Sequence, residues 1–310
     1  MNKSVRWGLA GGIALTTVGE VAEVGRWAAE VGFHSYWVSQ ANAVDPLVAL
    51  AAAAPALEGL AEVGTSVVPL YGRHPVGLAQ QARTAQSALG GRLTLGVGPS
   101  HRSTVENNLG LSWDHAFAYT RDFLAGLQPL LAGEPAEVDG ERVTTRAALN
   151  IDAAPTPVLL AALGPRMLTL AGQTTDGTTV GQCGPRTLAE HVVPRINEAA
   201  AGAGRPAPRV VALVRICVAD SGPTFEAARQ QAREVAGFYS AQPSYRAVLD
   251  REGLADPADI HLIGSPEQVL DGLGAYVDAG ATDLRVEVVA PDEASTEATK
   301  AALAGFVAEL

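Results

Sequence analysis

The sequence predicts a (β/α)8 barrel, on three observations. Eight short apolar stretches alternate with segments of helical spacing from Val5 to the last residues, the count and order of an α/β barrel. Antiparallel hairpin signals between those stretches are missing, so the strands are expected to pair in parallel. No Pro/Ser-rich linker divides the 310 residues, a length that α/β barrels routinely reach as one domain. The expectation is therefore one domain over 1–310, with insertions after the fourth and seventh strands. A doubly wound sheet is the alternative, but no Gly-x-Gly-x-x-Gly opens the first turn.

The elements follow in order. Val5 to Ala10 is the first strand, ending in Gly11-Gly12. Thr17 to Val31 has helical spacing through Val18, Val21, Val24, Trp27, Ala28 and Val31, with Glu20 as capping-box partner of Thr17 and Gly32 as the stop. Ser35 to Ser39 is the second strand, and Asp45-Pro46 caps the alanine-rich helix after it. Val63 to Leu70 is the third strand, Pro75 to Leu89 a helix, and Arg92 to Gly98 the fourth strand. Ala118 to Leu131 is helical. Val138 to Val143 reads as a small hairpin turning at Asp139-Gly140.

Pro157 to Leu163 is the fifth strand and Gly164-Pro165 opens a helix to Thr174. Gly177 to Cys183, then the helix Pro185 to Ala201, then Val210 to Ala219 continue the alternation. Thr224 to Phe238 is a helix and Tyr239 to Asp256 a helical or irregular insertion. Ser265-Pro-Glu-Gln opens a helix to Ala279, Leu284 to Val289 is the eighth strand, and Thr296 to Leu310 the last helix.

Composition narrows the function. With 47% hydrophobic and 18% charged residues, the chain can build a large core. A net charge of -11, spread along the chain, argues against a nucleic-acid or anionic-membrane surface. Cys183 and Cys217 lie in apolar stretches and are expected as buried free thiols, with no metal-ligand spacing. Met1 to Trp7 carries no apolar h-region of a leader, and Leu47 to Leu60 is too short and broken to span a bilayer. The expectation is a cytoplasmic protein acting on a small molecule, with no metal.

In such a barrel the residues after the strands build the site. The fourth strand ends in Gly96-Val-Gly98 and runs into Pro99, Ser100, His101 and Arg102. His101 suits a hydrogen bond to a phosphate or proton donation near neutral pH. Gln40 and Asn42, after the second strand, share this candidate catalytic face. Both are neutral amides, so no general base stands there. Gly164-Pro165-Arg166 ends a strand and opens a helix whose free N–H groups suit an anion. Gly184-Pro185-Arg186 repeats the pattern, so one of the two could be plain turn chemistry. His74 reads as a local cap or rim residue, and His115, His191 and His261 as surface residues. Nucleophilic triads, P-loops and paired strand-end carboxylates are missing.

Three stretches, Gly64-Thr-Ser-Val-Val-Pro-Leu-Tyr-Gly-Arg-His-Pro75, Ala79-Gln-Gln-Ala82 and Gly90-Gly-Arg-Leu-Thr-Leu-Gly-Val-Gly98, resemble the core signature of the bacterial-luciferase-like superfamily. Pro157 to Leu168, Gly184 to Arg195 and Pro243 to Gly253 resemble the actinobacterial oxidoreductases that use the deazaflavin coenzyme F420. The resemblance implies a barrel with the deazaflavin, or FMN as the alternative, in its mouth, and a homodimer. It implies a non-prolyl cis peptide at Ser66–Val67. By the same resemblance Pro99, Ser100 and His101 contact cofactor or substrate. Ala162, Leu163, Gly164 and Pro165 supply backbone contacts to the phosphate-bearing tail, and Thr179 and Val180 flank the ring.

Two departures shape the chemistry implied. Many members carry an acid followed by histidine where this chain has Gln40-Ala41, and the sugar-phosphate dehydrogenases place an acid where His101 stands. Their dehydrogenation mechanism does not carry over. The resemblance then implies a reductase of C=C or C=N in a small, largely apolar metabolite, with His101 or an ordered water giving the proton. An FMN-dependent monooxygenase and a catalytically silent cofactor-binding barrel are the alternatives.

Overall fold

The computed structural model describes residues 5–240 and 242–309. Met1 to Ser4, where most of the leader reading falls, and Leu310, the end of the predicted last helix, lie outside the described residues. Eight strands form the barrel: β1 (Arg6–Ala10), β2 (Ser35–Val38), β3 (Glu62–Thr65), β4 (Leu93–Gly98), β5 (Val158–Ala161), β6 (Gly177–Val180), β7 (Arg209–Val218) and β8 (Asp283–Val288). Each pairs in parallel with the next, and β1 pairs with both β2 and β8, which closes the barrel. The predicted fold class holds.

Helices cover the outside: α1 (Val18–Val31), α2 (Pro46–Ala52), α3 (Pro75–Ala88), α4 (Ala116–Ala132), α5 (Pro165–Thr174), α6 (Val193–Gly202), α7 (Gly222–Ser240), α8 (Pro243–Glu252), α9 (Pro266–Asp278) and α10 (Glu293–Ala308). The expected caps form. Thr17 and Glu20 make the capping box of α1, Asp45 accepts from Leu47 and Val48, and Ser265 with Gln268 boxes α9. Leu9, Tyr36, Leu160, Val180, Ala212 and Val286 point outward into the large core shared with the helices. Alternation then turns Trp37, Leu159 and Val211 into a separate apolar layer inside the barrel. Trp37 also donates from its indole to Ser35 Oγ at 2.8 Å.

Three local expectations are corrected, and one short strand is added. The third strand does not run from Val63 to Leu70. After Gly64 pairs with Thr94, the Thr65 hydroxyl takes over, accepting from Gly96 N at 3.0 Å and donating to Gly96 O at 2.9 Å. The chain steps aside there, and pairing resumes at Val68–Pro69 against Val97–Gly98. Only a glycine fits at 96, because a Cβ would lie 2.0 Å from the Thr65 carbonyl oxygen.

The small hairpin pairs Ala136–Asp139 with Thr144–Ala147 and turns through 140–143, not at Asp139-Gly140 alone. The helix expected over Pro185 to Ala201 begins as one turn, Pro185–Thr187. It widens to a π turn over Leu188–Val192 just before Pro194, which has no N–H to donate. A short strand, Leu262–Gly264, pairs with the upper half of β7 and was not expected. At three residues it carries too little pattern to read. Among the described residues, no helix is long and apolar enough to cross a membrane.

Candidate active site at the barrel mouth

The barrel interior is layered, because strand residues two apart share a face. At the amino end of the strands, Arg209 grips Glu62 through two bonds of 2.7 and 2.9 Å and reaches Asp283 at 2.6 Å. Arg6 adds a second guanidinium on Asp283 at 2.8 Å. Burial works against the charge of Arg209, but the bonds to Glu62 and Asp283 outweigh it and hold its pKa above the usual arginine value. The Trp37 layer lies next. Beyond it, towards the carboxyl ends, come Ser66, Thr179 and Arg285, then Arg215 and Glu287.

The carboxyl end gathers most of the predicted residues. The Ser66–Val67 peptide is cis, as the resemblance implies. Ser66 Oγ and Thr179 Oγ1 lie 3.0 Å apart, so two predicted cofactor contacts from β3 and β6 meet across the barrel. The Ser66 carbonyl accepts from Ser39 Oγ at 2.7 Å and from Arg285 Nη1 at 3.4 Å. Val67 lies so close to Gly98 that a Cβ there would meet its Cγ2 at 3.2 Å. Ser100 takes the left-handed conformation (φ 72°), which turns the chain after Pro99 and sets His101 over the mouth.

The remaining predicted residues divide. Gln40 accepts from Arg73 Nη2 at 3.0 Å, and the same nitrogen binds Asp45 at 2.9 Å. An acid, Asp45, is thus linked to Gln40 through the Arg73 guanidinium rather than standing in its place. Asn42 is exposed on the same loop. Val180 and Ala162 belong to the outer core, so neither side chain reaches the interior beside Thr179. Leu163 offers its carbonyl to His191, which donates from Nε2 at 2.8 Å. His191 is therefore not the surface residue expected. Arg102 turns outward to Glu106 and Asp114.

Two Gly-Pro-Arg turns read alike in sequence, and the structure separates them. At the second, Thr187 N–H donates to Glu252 Oε1 of α8 at 2.7 Å, and a Cβ at Gly184 would strike that carboxylate. That turn is filled by the protein's own anion. At the first, no side chain caps Gly164 and nothing stands within 4 Å of where its Cβ would be. The start of α5 is the one left for an outside anion.

Sequence reading gave no role to Arg285 and Glu287 in the charged floor of the mouth. Arg215 Nε donates to Glu287 Oε2 at 2.7 Å, both buried. Arg285 is 3% exposed, its Nε has no partner, and among the described residues it forms no ion pair with a carboxylate. Burial lowers its pKa to about 10, with Arg215 adding to that effect and Glu287 opposing it. Gln182 Nε2 and His261 Nε2 are also buried without partners. His261, expected on the surface, is pushed down to about 3 by burial and by Arg215. The readable signal was Asp283-Leu-Arg-Val-Glu-Val288, charges at every second place in a barrel strand.

Tyr239 of α7 and Tyr245 of α8 roof this floor. Tyr239 and Tyr245 face each other at 4.9 Å and meet the His101 ring at 6.0 and 5.8 Å. Arg215 sits 5.8 Å from the Tyr239 ring. This surrounding lowers the His101 pKa by burial, so the imidazole is neutral at pH 7. Gln182, Ala236, Tyr239, Tyr245 and Leu249 close on one another with no room for a water molecule. A cavity of about 550 Å³ opens elsewhere, between Tyr71, Arg73, Ser112, Tyr119 and Arg142, and is lined by none of the predicted site residues.

Residues 4–283 match the sequence pattern of the family described as luciferase-like monooxygenase. The chain is 28% identical over 241 residues to 5,10-methylenetetrahydromethanopterin reductase of Methanolobus tindarius, covering 77% of this chain and 72% of that one. It is 31% identical over 284 residues to an F420-dependent glucose-6-phosphate dehydrogenase of Beutenbergia cavernae, covering 83% of each. Among solved structures, the coenzyme F420 dependent tetrahydromethanopterin reductase from Methanopyrus kandleri superposes with a TM-score of 0.80. That match has 22% identity, over 99% of this chain and 98% of that one, a likeness of fold.

Proposed function

The chain belongs to the luciferase-like monooxygenase family, and on that premise we propose that it is a coenzyme F420-dependent oxidoreductase. Its reaction is the reduction of a C=C or C=N bond in a small metabolite. The observation that carries this reading is the convergence on one barrel end of Ser66, Val67 and Thr179 with the uncapped start of α5. Relatives named for coenzyme F420 support the choice of cofactor.

The residues present suit the coenzyme. Free N–H groups at the start of α5 hold a phosphate without a competing side chain. The Ser66–Val67 peptide and Gly98 form a wall with little side-chain bulk, against which a flat ring can lie. Gln182 and Arg285 each carry a buried donor atom without a partner. When bound there, the reduced coenzyme supplies a hydride to the acceptor. His101, held neutral, gives a hydrogen bond from a ring N–H at the mouth and relays a proton. Tyr239 and Tyr245 exclude water above it.

Titration of the apoprotein tests this reading. Coenzyme F420 is expected to quench the intrinsic fluorescence to saturation at one per chain, with FMN ineffective at the same concentrations. Tight FMN binding with no response to coenzyme F420 would refute it.

A further inference from the structure

We propose that the floor of the barrel mouth is a receptor for an oxyanion, so that the substrate carries a carboxylate or phosphate group rather than being largely apolar. This rests on the reading that the mouth is the active site. Two guanidiniums, Arg215 and Arg285, stand there against a single carboxylate, Glu287. Glu287 is spent on Arg215 at 2.7 Å. Arg285 has one contact of 3.4 Å to a carbonyl and a buried Nε with no partner.

The other groups facing Arg285 do not supply the missing charge. Its electrostatic neighbours are Glu287, Arg215 and Tyr239. His261, near Arg215, stays neutral and adds no negative charge. Asp283, two residues back on the same face of β8, is taken by Arg6 and Arg209. A buried guanidinium left without an anion is costly to hold. A bound oxyanion would answer it, accepting from Arg285.

The test uses the apoprotein with sodium propanoate or inorganic phosphate, each compared with sodium chloride at matched ionic strength. At least one oxyanion is expected to raise Tm by about 2–4 °C and to saturate. Arg285→Met should lose that response at least tenfold in apparent affinity. Glu287→Gln, which releases Arg215, should tighten it. No rise beyond chloride in the wild type, or a rise that Arg285→Met leaves intact, would overturn the proposal. A coenzyme F420 titration on the same samples separates the two readings. Coenzyme binding with no oxyanion response leaves the oxidoreductase reading standing and removes this one; an oxyanion response without coenzyme binding does the reverse.

Discussion

At the amino end of the barrel two arginines meet two carboxylates, and at the carboxyl end two arginines meet one. The first cluster, Arg6, Arg209, Glu62 and Asp283, ties β1, β3, β7 and β8 across the interior with bonds of 2.6 to 2.9 Å. The second, Arg215, Arg285 and Glu287, lies on β7 and β8 alone and leaves a buried donor unanswered. The same residue types therefore serve two ends. Where every group is paired, charge fixes the relative position of the strands. Where one is not, the fold is holding a place for a ligand at the face where barrels carry their sites.

The largest expected effect is at the closed end. Glu62→Gln removes the bidentate partner of Arg209 and should cost about 3–5 kcal/mol in urea unfolding. A loss below about 1 kcal/mol would mean that this cluster does not hold the barrel together. At the open end, His101→Ala should lower turnover about 10²-fold or more while changing coenzyme affinity only slightly. The reverse pattern would make His101 a binding group instead.

Acid should divide the two ends further. His261 protonates near 6.5 when unfolded but only near 3 in the native state. The unfolded chain therefore binds the extra proton first. Stability is level above about pH 6.5 and falls as pH drops below it, by up to about 1.4 kcal/mol per unit from this group. His101 and His191, with pKa values also lowered by burial, act in the same direction. Unfolding free energies between pH 6.5 and 5 would show this, and His261→Gln should flatten the slope. The smallest effect belongs to Thr179→Val. Losing the bond to Ser66 should cost about 1 kcal/mol of stability, together with a measurable weakening of coenzyme binding.

The barrel was legible in the sequence because strands and helices differ in period, and because Thr17, Asp45 and Ser265 mark helix starts by their chemistry. Much of the site was legible for a related reason. Strand ends in a barrel converge, so Ser66, Ser100, His101 and Gly164 could be assigned to one face before any contact was known, while Thr179 entered only through the family resemblance. What stayed hidden depends on partners distant in sequence. Glu252 decides which Gly-Pro-Arg turn is open, and it lies 65 residues from the Thr187 amide it caps. His261 looks like a loop residue until the short strand Leu262–Gly264 is paired to β7. Val180, placed beside the ring by the resemblance, packs its side chain into the outer core. Arg285 and Glu287 were in plain view at period two, but their pattern indicates an interior face and not which end of the barrel it serves.

The difference between the two ends is tested most directly by urea unfolding of Arg285→Met beside the wild-type apoprotein. A guanidinium kept for a ligand burdens the unliganded fold, so the midpoint of Arg285→Met should equal or exceed that of the wild type. A fall comparable to that of Glu62→Gln would show that Arg285 holds the barrel together like its counterparts at the other end, and that the mouth keeps no place for an anion.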